Sequence, residues 1–97
     1  MNKNNVYILE DRGIIYASGN DIKDFLQNIV SNDVSKVTTR NSCFASLLTP
    51  QGKYLFDFII VEHKNGFFLD CEKKNIELLL KQLHLYKLRS NVEFLNL

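Results

Sequence analysis

Residues 53–71 read KYLFDFIIVEHKNGFFLDC, and this stretch decides the fold class. Its first part, through His63, predicts the longest strand of the chain, and residues 67–71 predict the partner strand. Between them, Asn65-Gly66 is the dipeptide that two-residue type I′ turns prefer, because both central residues need positive φ. Upstream, residues 43–49 predict a third strand, joined to the first by a turn at Thr49-Pro50-Gln51-Gly52. Together the three segments predict an antiparallel meander.

Two amphipathic helices flank this meander. The first is predicted after residues 18–21 (SGND), which are rich in helix-starting residue types, and should stop near Ser31. The second covers about residues 73–86. Each helix has one apolar stripe at i, i+3, i+4 spacing. The stripes are Ile22, Phe25, Leu26, Ile29 and Val30 in the first helix, and Ile76, Leu79, Leu80 and Leu83 in the second.

Three more strands complete the prediction. Residues 6–10 and 14–18 are joined by a turn at 11–13, and residues 92–95 form a final strand. The order β-β-α-β-β-β-α-β, with both helices on one face of an antiparallel sheet, indicates a two-layer α+β fold. All of residues 1–97 are expected to form one domain. The final strand must join an edge of this sheet or pair with another chain.

The composition excludes several classes of partner. A net charge of +1, from 12 basic and 11 acidic residues, gives no field that would attract nucleic acid or an anionic membrane. No apolar run approaches the roughly 20 residues of a membrane span, and the polar start has no signal-peptide core. We therefore expect a soluble, cytoplasmic protein. Cys43 and Cys71 are interpreted as small buried strand residues, with a disulfide or a metal role as the alternatives.

The most informative single residue is Asp57. It lies inside an otherwise apolar segment, YLFDFIIV at 54–61, which predicts a central strand buried on both faces. A buried carboxylate needs a partner, a cavity or a ligand, because an unpaired one is costly. The alternatives are a ligand site, a structural acid bonded to a backbone amide or to an arginine, or a bend that exposes the residue. The candidate partners are Arg89, Arg40 and Arg12.

Three other polar features allow two interpretations each. The Thr49–Lys53 turn either presents backbone N–H groups to a ligand or only reverses the chain. Asn32-Asp33 either touches a ligand or caps the backbone. The basic spot at Lys87-Leu88-Arg89-Ser90 either contacts a ligand or is a solvated patch. None of the common catalytic or metal-binding motifs is present, so these residues alone do not define an active site.

A set of short motifs, in order along the chain, is more specific than any one of them. It resembles the N-terminal part of the YgfZ-type folate-binding proteins, which are related to the aminomethyltransferase (T-protein) of the glycine cleavage system. The resemblance covers nearly the whole chain. The motifs are RGII (12–15), SGND (18–21) with FLQ (25–27), NDV (32–34), LTPQGK (48–53) with Asp57, and YKLRS (86–90) with Val92.

The resemblance implies a folate-binding module that helps iron–sulfur protein maturation or repair, with tetrahydrofolate as the small-molecule ligand. It implies half of a duplicated folate-binding domain, whose first strands are exchanged between halves. Asn32, Asp57 and Arg89 would line the pocket, with Asp57 accepting hydrogen bonds from the pterin and Arg89 facing the glutamate tail. Completion would need a homodimer or a second half-domain joined through edge strands.

Two departures from the family pattern bear on activity. The cysteine segment of YgfZ-type proteins is absent, and Phe56 stands where the T-protein has the first of two acids. We therefore expect no enzyme activity from this chain alone. Two alternatives remain: an aminomethyltransferase-like subunit that needs a partner chain, and a non-catalytic module that pairs strands with another protein.

Overall fold

The computed structural model describes residues 11–97. The predicted strand at residues 6–10 lies outside that range. Within it, two short 3-10 segments cover Val34–Lys36 and Lys73–Asn75. The regular elements are strands β1 Arg12–Ser18, β2 Cys43–Leu48, β3 Tyr54–His63, β4 Gly66–Glu72 and β5 Glu93–Asn96, and helices α1 Ile22–Ile29 and α2 Ile76–Lys87.

The five strands form one antiparallel sheet in the order β2-β3-β4-β1-β5. The predicted meander is confirmed, since β3 pairs with both β2 and β4. Strand β1 lies between β4 and β5, and its pairing with β5 runs from Ile15↔Asn96 to Ser18↔Glu93. The predicted last strand therefore joins an edge of its own sheet. The α+β fold class is confirmed.

The core lies between the helices and one face of the sheet. Side chains alternate along each strand, so every second residue faces the helices. This helix side holds the buried strand residues Ile15, Ala17, Ala45, Leu47, Phe58, Ile60, Phe67, Leu69 and Cys71. The predicted helical stripes meet them through Ile22, Phe25, Leu26, Ile76, Leu79 and Leu83. The other sheet surface, here called the open face, carries Ile14, Tyr16, Phe44, Asp57, Ile59 and Phe68.

Helix α1 ends earlier than its apolar stripe suggests. Val30 has extended backbone angles, with φ −112° and ψ 163°, although its N–H still donates to the Leu26 carbonyl at 3.1 Å. Its backbone forms an isolated antiparallel bridge to Leu47 of β2. Val30 is 7% exposed and belongs to the core. An apolar residue at a helix end can thus satisfy the helical stripe while pairing as a strand.

The segment before α1 has a second task besides starting the helix. Asp21 does not cap α1 with its side chain. Instead its Oδ2 accepts a hydrogen bond from the Asn91 N–H at 2.7 Å, and its own N–H donates to the Asn91 carbonyl at 3.1 Å. Gly19, at φ +121°, lies so close that a Cβ there would be 2.2 Å from the Asn91 oxygen. The segment therefore docks the loop that leads into β5.

The β3–β4 turn has the predicted type but not the predicted position. Positive φ occurs at Lys64 (45°) and Asn65 (65°), and the strand pairing closes at His63↔Gly66. The central residues are therefore Lys64 and Asn65, and placing Gly66 among them was wrong. The glycine serves another purpose, because a Cβ on Gly66 would lie 2.7 Å from the Tyr16 hydroxyl, which donates to the Lys64 carbonyl at 2.7 Å.

No helix of residues 11–97 has the length and apolar content that a membrane crossing needs.

Candidate functional site

Asp57 is exposed, so the prediction of a buried carboxylate was wrong. The reason is the extent of the sheet. Strand β3 pairs with β4 only from Ile59 onward, whereas its first residues pair with β2 alone. Asp57 lies in this two-stranded part and points to the open face, while its neighbour Phe58 is fully buried on the helix side. The apolar segment therefore does not mark a strand covered on both sides.

The carboxylate of Asp57 has one defined partner in the sheet. The Ser46 hydroxyl of β2 donates a hydrogen bond to Asp57 Oδ1, and the two residues are directly paired across the strands. Among residues 11–97, Oδ2 accepts no hydrogen bond. No arginine forms an ion pair with Asp57 within the described part of the chain. Arg12, one predicted partner, instead binds Asp70 through its Nε at 2.9 Å.

Ser46 is itself held by the chain segment that follows α1. The Ser46 N–H donates to the Ser31 hydroxyl at 2.9 Å, and the Ser31 N–H donates to the Ser46 carbonyl at 3.0 Å. Ser46 is 7% exposed. Neither serine was predicted as a site residue from the sequence, because Ser31 was considered only as the end of the first helix. Ser46 could have been noticed as a polar residue between Ala45 and Leu47. Its contact with Asp57, however, follows only from the register of β2 on β3.

Apolar residues lie next to Asp57 on the open face. Phe44 of β2, 62% exposed, pairs with Ile59 of β3, and Leu55 and Tyr54 precede Asp57 with much of their surface in solvent. An ionised carboxylate beside flat apolar surface can accept N–H hydrogen bonds from a planar heterocycle whose ring packs on that surface. This is the chemistry that the arrangement supports.

Asn32 lies near the same strand but uses its side chain for the protein backbone. Its Nδ2 donates to the Phe44 carbonyl at 3.0 Å, and its Oδ1 accepts from the Asp33 N–H at 2.7 Å. Asp33 in turn accepts from the Ser35 hydroxyl at 2.6 Å and the Ser35 N–H at 3.0 Å, which lowers the pKa of its carboxyl. The capping interpretation of Asn32-Asp33 thus describes these contacts, and a ligand contact from Asn32 stays a prediction.

Arg89 is not brought together with Asp57. It is exposed, follows the end of α2 on the helix side of the sheet, and forms no hydrogen bond or ion pair with any of residues 11–97. Asp57 points to the opposite face. The predicted pairing of Arg89 with Asp57 is therefore wrong for the described residues. A ligand contact from Arg89 stays a prediction.

A groove of about 470 Å³ lies between the ends of both helices and the β2–β3 turn, and Arg89 is not among the residues that line it. The turn satisfies its own backbone: the Thr49 N–H donates to the Lys53 carbonyl at 2.8 Å and the Gly52 N–H to the Thr49 carbonyl at 2.9 Å. These bonds favour chain reversal over ligand capture by the turn. The lining is mostly apolar: Asn28, Ile29, Leu48, Thr49, Pro50, Gly52, Leu85, Tyr86 and Leu88.

The two cysteines are free thiols in strands, Cys71 buried and Cys43 partly exposed. Burial raises the pKa of both thiols above the usual value. The thiolate is the nucleophilic form, so both groups are poorly suited to covalent catalysis at neutral pH. The described residues thus present a binding surface around Asp57 and no activated nucleophile.

Comparison with known proteins adds sequence and fold relationships. No protein-family model matches the chain. It is 30% identical over 89 residues to the "Iron-sulfur cluster assembly factor IBA57 homolog, mitochondrial" of Neurospora crassa, covering 84% of this chain and 20% of that protein. It is 28% identical over 88 residues to the "tRNA-modifying protein YgfZ" of Vibrio vulnificus, covering 91% of this chain and 27% of that protein.

The fold has a solved counterpart. The glycine cleavage system aminomethyltransferase T of Bartonella henselae superposes on 90% of this chain with a TM-score of 0.79, at 18% sequence identity and over 24% of its own length. At that identity the match shows the shared fold alone. The chain spans only about a fifth to a quarter of the length of each of these proteins.

Proposed function

We propose that this chain, a relative of the YgfZ-type proteins and aminomethyltransferases, supplies one half of a tetrahydrofolate-binding site in a protein that assists iron–sulfur cluster assembly. The relationship rests on the sequence matches and the common fold. The ligand is proposed from the resemblance and from the site. The observation that carries the site is Asp57, an exposed carboxylate held by a buried serine at the position where the motifs place a pocket acid.

The geometry around Asp57 suits a pterin. Its Oδ2 accepts no hydrogen bond from residues 11–97, and the side chains of Phe44 and Ile59, paired beside Ser46 and Asp57 on the same face, offer apolar surface next to it. A pterin ring carries N–H donors along one edge and an apolar face, so it can use both features. Arg89 would meet the glutamate tail only if the ligand reached around the two-stranded end of the sheet or if another chain completed the pocket.

We therefore propose a half-site, completed by a second copy or a second half-domain at a sheet edge. The two edges differ. At β2, the Ser31 N–H and Asn32 Nδ2 already donate to the carbonyls of Ser46 and Phe44. The outer edge of β5 has no strand partner among residues 11–97. Strand addition at β5 would extend the sheet without displacing the contacts that support Asp57.

The alternatives are less well supported by the site. In the aminomethyltransferase-like alternative, a second acid would help catalysis, but Phe56 is half-buried and packs against the core. The strand-pairing module without a ligand would be favoured by an Asp57 buried and satisfied by Arg89, and neither condition holds. A cytoplasmic location stays a prediction, and the Neurospora crassa relative is named as mitochondrial.

The test is a titration of the 97-residue chain with tetrahydrofolate, followed by amide chemical shifts, with the molar mass measured by light scattering. A monomer with half a site should bind tetrahydrofolate with a dissociation constant of about 1 mM, which corresponds to a binding free energy on the order of −4 kcal/mol. A chain that pairs with a second copy should bind more tightly. We expect shifts concentrated at residues 44–46 and 54–59. Their absence at millimolar ligand would refute the folate proposal, and tight binding by a strict monomer would refute the half-site.

A matched pair of substitutions identifies the acid. Asp57→Asn removes the proposed acceptor charge. Glu93→Gln removes a charge from the open face at β5, where Glu93 is exposed and pairs with Ser18. We expect Asp57→Asn to abolish the shifts and Glu93→Gln to leave them unchanged. Equal effects of the two substitutions would mean that Asp57 does not contact the ligand.

A further inference from the structure

We propose that Ser46, supported by Ser31, is a positioning residue that orients the carboxylate of Asp57 for ligand binding. The inference rests on the proposed function for the identity of the ligand, but the orientation itself can be tested without any ligand. Ser46 would act through Asp57 and would not itself touch the folate.

Ser46 is almost completely buried although its side chain is polar. Ser46 is the single polar residue that is buried within residues 11–97. A buried hydroxyl that lacks a hydrogen bond is costly, and a serine has only one proton to donate. That proton is directed to Asp57 Oδ1. Since an ionised carboxylate only accepts hydrogen bonds, the donor and acceptor roles in this pair are fixed.

The segment after α1 holds the backbone of Ser46 at the edge of β2 that faces away from β3. Ser31 accepts from its N–H at 2.9 Å and donates to its carbonyl at 3.0 Å. The next residue, Leu47, pairs with Val30 in the same segment. An edge strand usually leaves such groups to solvent. Here the chain after α1 fixes the position from which the hydroxyl reaches Asp57.

The hydrogen bond from Ser46 restricts a side chain that is otherwise exposed to solvent. A free surface carboxylate samples several rotamers, and binding must then pay to immobilise it. Anchoring Oδ1 to β2 removes that freedom and leaves Oδ2 as a fixed acceptor facing solvent. A ligand with an N–H donor beside an apolar ring would meet one preoriented oxygen. The serine thus selects the geometry of the acceptor, and the acid supplies its charge.

The experiment measures the χ1 rotamer of Asp57 in the unliganded protein. Three-bond couplings from its Cγ to the backbone nitrogen and carbonyl carbon distinguish one rotamer from an average. We expect a single rotamer in the native chain and averaged couplings in Ser46→Ala. Ser46→Thr, which keeps the hydroxyl, should restore the single rotamer. Ser18→Ala, a half-buried serine of the open face, should leave Asp57 unchanged.

Averaged couplings in the native chain, or unchanged couplings in Ser46→Ala, would overturn the proposal. If Ser46→Ala does not fold, Ser46→Cys is measured instead, since a thiol has a similar size and donates only a weak hydrogen bond. Averaged couplings of Asp57 are again expected, and unchanged couplings would again overturn the proposal. Tetrahydrofolate is then added at millimolar concentration. We expect about three- to tenfold weaker binding by the alanine variant, the range for one additional immobilised side chain.

The two proposals fail in different ways. If the native chain holds Asp57 in one rotamer that depends on Ser46, and tetrahydrofolate produces no shifts, the folate proposal is wrong and the positioning of the carboxylate stands. If tetrahydrofolate binds and Asp57 is mobile in the native chain, the positioning inference is wrong and the folate proposal stands.

Discussion

Gly19→Ala tests whether close backbone packing, and not only helix initiation, explains the glycine before α1. Gly19 has φ +121°, and an added Cβ would lie 2.2 Å from the Asn91 carbonyl oxygen and 2.7 Å from the Val92 Cα. Both contacts are with backbone, so no flexible side chain can move aside. Either the loop before β5 shifts or α1 does, and a shift would break the bonds between Asp21 and Asn91.

The magnitude follows from comparison with a second glycine. Gly52 also has positive φ, at +84°, but a Cβ there meets nothing within 4 Å. Gly52→Ala therefore costs only backbone strain, about 1–2 kcal/mol. Gly19→Ala adds the steric overlap and the loss of up to two hydrogen bonds at about 1 kcal/mol each. We expect about 3–5 kcal/mol, against a total stability on the order of 5–15 kcal/mol.

The assay is urea unfolding of both variants, followed by far-UV circular dichroism at pH 7. The difference in unfolding free energy between Gly19→Ala and Gly52→Ala reports the close contact at Gly19, together with the difference in strain between φ +121° and φ +84°. A loss for Gly19→Ala that does not exceed the loss for Gly52→Ala would refute the reasoning. The Asn91 and Val92 amide shifts supply a second readout, because they should move in Gly19→Ala and stay unchanged in Gly52→Ala.

Three further predictions concern the core, the loop after α1 and the thiols. Leu83→Ala should cost about 2–5 kcal/mol in urea unfolding because Leu83 is fully buried, whereas Leu78→Ala, at 56% exposure on the same helix, should change stability far less; equal losses would contradict the core assignment. The pKa of Asp33 is lowered by hydrogen bonds from Ser35, so its contribution is present above about pH 4 and is lost as the pH falls through the folded-state value; the stability gap between the native chain and Asp33→Ala should narrow on acidification, and a gap that widens would contradict this. Burial raises the pKa of Cys71, so a disulfide reagent at pH 8 should modify it much more slowly in the native chain than in urea; equal rates would show that β4 opens freely.

Hydrophobic periodicity predicted the helices and strands of this fold because each pattern depends only on residues that are close in sequence. The stripes of α1 and α2 each identify a buried face, and the structure confirms this for Ile22, Phe25 and Leu26 and for Ile76, Leu79 and Leu83. The type I′ turn was predicted in kind but misplaced by one residue. Local preference favours glycine within the turn, whereas here packing against Tyr16 decides where the glycine goes. A contact between β1 and β4 cannot be read from the hairpin alone.

The burial of Asp57 was mispredicted for a related reason. A run of apolar residues indicates that a strand is buried, but it does not indicate along how much of its length neighbouring strands flank it. Strand β4 meets β3 only from Ile59, so the residues before it form a two-stranded end with one face open. The partner of the acid was equally hidden, because Ser46 faces Asp57 only through the register of β2 on β3. A site residue such as Ser46, whose role depends on strand register, can be identified only when the sheet pairing is known. Asp57 could be identified from the sequence alone.

The contacts that support Asp57 also restrict how a second half could be added. Ser31 and Asn32 occupy the outer edge of β2, and the same Ser31 holds the serine that anchors the acid. A strand that added at β2 would have to displace them and would release the carboxylate. Addition at β5 leaves them in place, but β5 is three strands away from β3, roughly 14 Å at the usual strand spacing. A completing chain at β5 must therefore reach across the open face to share a ligand with Asp57, and that face, with its exposed Phe44 and Leu95, offers the apolar surface on which such a chain could lie.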